Sequence, residues 1–104
     1  MYEKVSEKIM SLDNRIEEKI VRPYIGYKIG NKICVALHVY KSKIELELLR
    51  VEPKDLKDPE KKVFYQKNSM EFYNKHVSVF SINTEDDIEY WIMLTKQILK
   101  KFFL

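Results

Sequence analysis

The chain has 104 residues, 45% of them hydrophobic and 34% charged, with a formal net charge of +3. That length fits one domain, residues 1–104, which buries roughly 60–70% of its unfolded surface, so a core forms without staples. The single cysteine, Cys34, excludes an intrachain disulfide and suits a reducing compartment. The charged opening MYEKVSEKIM does not read as a signal peptide, and no window approaches the roughly 20 apolar residues of a bilayer span. A cytoplasmic protein without membrane contact is therefore expected.

Apolar residues at Val5, Ile9, Leu12, Ile16 and Ile20 fall on one helical stripe, which predicts one bent helix or two short ones. Asp13 is placed to cap the second, and Pro23 ends the segment. From Tyr24 the period changes to two. YIGYKIG reads as a strand, Gly30-Asn31 as a hairpin turn, and ICVALHVY as a second strand. Alternation puts Ile33, Val35, Leu37 and Val39 on one face and Cys34, Ala36, His38 and Tyr40 on the other. After a turn at Lys41-Ser42, KIELELL points Ile44, Leu46 and Leu48 inward and Lys43, Glu45 and Glu47 outward.

Pro53 closes that strand, and Asp58-Pro59 starts a short helical turn. FYQKN at 64–68 returns eight residues later as FYNKH at 72–76, and VSVFSI at 77–82 reads as a fourth strand. Asn83 or Thr84 then caps a helix whose first turn is acidic at Glu85, Asp86 and Asp87. Its buried stripe is Ile88, Trp91, Ile92, Thr95, Ile98, Leu99 and Phe102. The fold class that follows is α+β in two layers: an antiparallel sheet of about four strands, covered on one face by the N- and C-terminal helices. The opposite face, with Cys34, Ala36, His38, Lys43, Glu45 and Glu47, is left open to water or a partner.

LDNRIEEKIVRPYIGYKIGNKICVAL, KSKIELELL, the Leu56-Lys57-Asp58-Pro59 segment and SINTEDDIEYWIMLTKQILKKF together resemble an uncharacterised bacterial and archaeal domain family labelled "predicted transport protein". The resemblance covers most of residues 10–103. Such domains also occur as C-terminal modules of restriction-endonuclease-like proteins, which implies DNA-processing company and supplies no catalytic residues. Glycines and a tryptophan would be expected after the Asp-Pro segment; this chain has the doubled aromatic-lysine stretch there instead.

Cys34 and His38 resemble a nucleophile and base, but four strand residues span about 13 Å, beyond hydrogen-bond reach. Only pairing with His76 would gather a cluster. Two histidines and one cysteine show no metal-ligand spacing, so no metal and no cofactor is expected. Glu45 and Glu47, roughly 7 Å apart on one face, fit an inverting glycosidase pair and equally a solvated strand. Glu52-Pro53-Lys54 and Glu60-Lys61-Lys62 have the glutamate-x-lysine form of nuclease sites, yet proline interrupts one and precedes the other. Two glycines cannot build a phosphate loop.

In the doubled stretch, Tyr65, Lys67, Tyr73, Lys75 and His76 are candidates for contact with nucleic acid or a protein partner, by aromatic stacking and lysine–phosphate pairing. Phe64 and Phe72 are expected to be buried anchors. Residues 1–22 hold five basic and five acidic side chains, and residues 53–76 six and four. That mixture permits nucleic-acid contact without the clustered basic face of a dedicated binder. With no catalytic residues assigned, the reading is a non-enzymatic binding or accessory module. A small hydrolase using His38, Glu45 or Glu47 is one alternative. Self-association through the open face or the Phe102-Phe103-Leu104 tail is another.

Overall fold

The computed structural model describes residues 2–22 and 24–103. In chain order it contains α1 (Tyr2–Met10), β1 (Glu17–Ile20), β2 (Ile25–Ile29), β3 (Lys32–Val39), β4 (Ile44–Leu49), a 3-10 turn (Pro53–Asp55), β5 (Phe64–Tyr65), α2 (Ser69–Tyr73), β6 (Val77–Ile82) and α3 (Asp86–Phe102). The fold is α+β, with one antiparallel sheet in the order β1-β2-β3-β4-β6-β5. The meander, the fourth predicted strand and the final helix are present, but the last helix is capped at Glu85 rather than at Asn83 or Thr84, whose N–H groups instead donate to the Asp87 carboxylate. The sheet has six strands among the described residues rather than about four, because short strands extend both edges.

One of these, β1, corrects the N-terminal expectation. Val5 and Ile9 are buried, but the helix stops at Met10. Asp13 turns the chain: its Oδ1 accepts the Arg15 N–H (2.9 Å) and its carbonyl accepts the Ile16 N–H (3.1 Å), the side-chain-closed turn that aspartate favours over a helix. The same carboxylate holds the Arg15 guanidinium, which also donates to the Phe103 carbonyl at 2.9 Å. Residues 17–20 then pair with β2, and inter-strand hydrogen bonds override the helical period. Ile16 is buried, whereas Ile20, on the same predicted stripe, is 70% exposed. Pro23, predicted to end the helix, lies outside the described residues.

Every residue of β1 is exposed. Its anchor to the core is the Glu18 carboxylate, which accepts the hydroxyls of Tyr2, Ser6 and fully buried Tyr27. The Ser6 hydroxyl foremost, with those of Tyr27 and Tyr2, holds Glu18 below its ordinary carboxylate range.

The core gathers Val35, Leu37, Ile44, Leu46, Leu48, Phe80 and Ile82 from one sheet face with Val5 and Ile9 of α1 and the stripe of α3. Cys34 joins it, against expectation. Tyr27 pairs with Val35, but Lys28 pairs with Ile33, so Cys34 is the extra residue of a β-bulge. The bulge interrupts the alternation: Cys34 turns to the core and Ile33 turns to the opposite face with Ala36 and His38. Phe64 and Phe72, expected as anchors, are 70% and 71% exposed.

The Asp58-Pro59 segment forms a turn rather than a helix. The Asp58 carboxylate accepts the N–H groups of Lys62 and Val63 and the Tyr90 hydroxyl, which fastens the loop to α3.

Two outcomes test these contacts. Ile16→Ala should cost about 2–5 kcal/mol in urea denaturation, while Ile20→Ala should stay within about 0.5 kcal/mol; a continuous helical stripe would make both costly. A carboxylate with a depressed folded pKa contributes stability that is fully present above its ordinary value of 4.5 and is lost as pH falls through the folded value. Glu18→Gln should therefore lower the urea midpoint at neutral pH, with the gap from the parent closing in acid.

Candidate ligand site on the open sheet face

Cross-strand register builds the site. On the face away from the core, Gly26, Ala36, Glu47 and Val79 lie side by side across β2, β3, β4 and β6. Glycine and alanine leave low ground at the β2–β3 end of this row. His38 lies directly opposite Glu45, yet it reaches diagonally past Ala36 to Glu47, with Nε2 3.0 Å from Oε1. Diagonal neighbours on a sheet face are within reach of long side chains.

Around this pair is a hollow of about 330 Å³. Ala36, Leu49 and Val77 supply apolar surface from three strands. Tyr24 and Ile33 close one side. A methyl added at Gly26 would touch the Tyr24 ring at 3.4 Å and Ile33 at 3.6 Å, so these two side chains already lie over the glycine. The Tyr24 ring also stands against His38, with centroids 6.1 Å apart. Tyr73, the last residue of α2, and Lys75, in the link to β6, contribute the remaining wall.

The polar content is small and defined. A Glu47 carboxylate can only accept, so the His38 ring donates from Nε2; in the neutral imidazole this leaves Nδ1 as an acceptor. Lys75 makes no ion pair among the described residues.

The hollow thus unites members of two separate sequence-derived sets: His38 and Glu47 from the sheet face, Tyr73 and Lys75 from the doubled stretch. The other candidates lie elsewhere. Cys34 is in the core, where burial pushes its thiol up to about 11, and a thiolate nucleophile is unavailable there. Glu45 turns to Lys43 at 3.4 Å. His76 accepts or donates through Nδ1 with the Tyr65 hydroxyl at 2.8 Å and faces Glu52 through Nε2 at 3.5 Å. Tyr65 also accepts the Ser69 hydroxyl, and buried Ser69 accepts the Val77 N–H. Lys67 is exposed. Glu52 precedes the 3-10 turn that contains Lys54, its Oε1 3.9 Å from the Lys54 ammonium, and Lys62 lies between Glu60 and Asp87 at 3.4 and 3.5 Å. No group of three or more His, Cys, Asp or Glu among the described residues is placed to hold a metal ion.

Tyr24, Ile33, Leu49 and Val77 were not legible as site residues. The one available signal was Gly26 within a strand, which marks a close approach on that face. Comparison with protein-family models, with curated proteins and with solved structures finds no match to this chain.

The His38–Glu47 contact predicts that the neutral His38 ring carries its proton on Nε2. Imidazole ¹⁵N shifts should show that tautomer in the parent protein and a mixture in Glu47→Ala.

Proposed function

We propose that this chain is a binding module that takes a small, largely apolar molecule into the hollow on the open face of its sheet, acting as an accessory rather than as a catalyst. One observation carries the reading: a concave site with apolar walls and a few convergent polar groups, the usual make-up of a small-molecule pocket. At the ~30 Å³ that a water occupies in the liquid, the space admits roughly ten non-hydrogen atoms. In this reading the molecule works as two layers, with α1 and α3 over the core face and the ligand on the other. A cytoplasmic setting fits the lone buried thiol.

Resemblance to the "predicted transport protein" domains supports an accessory role beside DNA-processing partners. The hollow favours a small ligand over nucleic acid at Tyr73 and Lys75, because both side chains line it.

The His38–Glu47 pair favours a second reading, a hydrolase in which a carboxylate-oriented histidine activates water. Among the lining residues the hydroxyls are the phenols of Tyr24 and Tyr73, so a covalent serine, threonine or cysteine route is not what the site offers.

A fragment library of about ten-atom molecules, followed by amide NMR, tests the leading reading. Binders should shift Ala36, His38 and Tyr73, and Ala36→Leu should abolish the shifts by filling the hollow. Tyr73→Ala, at a half-exposed position, should weaken binding with little loss of stability. Fragments that bind only elsewhere, or none that bind, overturn the reading. Turnover of model esters lost in His38→Ala would replace it with the hydrolase.

A further inference from the structure

The charges around the hollow are unequally satisfied, and this determines what kind of molecule fits. We infer that the hollow selects small organic monoanions, with a carboxylate on the Lys75 ammonium and an apolar body beside Tyr24 and Tyr73. The inference rests on the small-ligand reading above and narrows it to a chemical class.

Glu47 is the acidic residue of the lining, and its Oε1 is engaged by His38 at 3.0 Å. That contact leaves a ligand cation only the second oxygen of one carboxylate, already oriented by the imidazole. The neighbouring acid on the same face, Glu45, is matched by Lys43 at 3.4 Å. Lys75 is different: it reaches the hollow, it is half-buried, and it has no carboxylate partner among the described residues. A lysine offers three N–H donors, and a carboxylate placed on them forms charge-assisted hydrogen bonds beside apolar walls, where screening by water is reduced.

His38 adds directionality. With Nε2 given to Glu47, its Nδ1 accepts a hydrogen bond in the neutral ring. A hydroxyl or N–H on the ligand body is therefore compatible with the site, while the anionic group belongs at Lys75. Aromatic rings at Tyr24 and Tyr73 suit a flat or branched apolar body. An arylacetic acid has the size, the flat body and the single negative charge.

Three probes of nearly equal shape separate charge from shape: phenylacetate, phenylacetamide and phenethylammonium, each titrated into the full chain and followed by amide NMR. Phenylacetate should bind at least about tenfold tighter than phenylacetamide, the scale of one charge-assisted hydrogen bond, and phenethylammonium weakest. Raising salt should narrow the gap. Lys75→Gln should bring phenylacetate down to the affinity of the amide and leave the amide unchanged, whereas Lys67→Gln, in the exposed loop, should preserve the preference. Equal binding of acid and amide, or a preference that survives Lys75→Gln, overturns the anion assignment and leaves the ligand site standing. Binding of none of the three, in a fragment screen that also fails, removes both.

Discussion

The one extra residue in β3 decides which side chains face which way, and the site depends on it. Without the bulge at Cys34, alternation would place a thiol on the open face and Ile33 in the core. With it, the core gains Cys34 beside Val35, and the hollow gains the Ile33 side chain that closes over Gly26. A bulge frees backbone groups from the ladder, and Arg50 answers this one: its Nη1 donates to the Ile33 carbonyl at 2.6 Å. The Arg50 N–H donates to the His76 carbonyl at 2.7 Å. One residue therefore ties the bulge in β3 to the segment that carries Lys75 and Val77, on the far wall. Arg50 does so from a left-handed backbone, φ 71°, a conformation that costs a non-glycine residue on the order of 1–3 kcal/mol.

Tyr73 and Lys75 are held by a second device, a chain of side-chain hydrogen bonds beneath α2. The Val77 N–H reaches Ser69, Ser69 reaches Tyr65, Tyr65 meets His76, and His76 faces Glu52. Ser69 accepts from the Val77 N–H and donates to Tyr65, and it is fully buried. A helix of five residues has little stability of its own; this network and the pairing of β5 with β6 supply what its length does not. The aromatic-lysine stretch thus contributes its first half to support and its second half to the lining.

That division is instructive because the two halves are nearly the same sequence. Phe64-Tyr65 is an edge strand, while Phe72-Tyr73 ends a helix. Asn68 and Asn74 occupy different places in the echo, and both take left-handed φ values, 64° and 56°, which asparagine tolerates better than most residues. These two turns, rather than the repeated letters, set where each aromatic points. Both phenylalanines remain outside, so the echo is not a repeat of packing.

Local chemistry determined much of the fold. The alternation of 25–49, the left-handed Gly30 at the hairpin, the β-branched run at 77–82 and the acidic start of α3 each specify their element with short-range physics, so they were readable from the letters. Three features were not. Glu17–Ile20 has no strand pattern and becomes one because β2 offers it hydrogen bonds and Glu18 finds three hydroxyls. The bulge reverses two faces without any glycine or proline to announce it. The hollow is assembled from β3, β4, β6, α2 and two links, residues up to 53 positions apart, as between Tyr24 and Val77. The order of residues determined the strands and the main helices, since propensity and period act within a few positions. Which edges were extended, which face received Cys34, and whether His38 met Glu47 beside Lys75 were decided only when distant segments packed, because each depends on a partner that the neighbouring sequence does not contain.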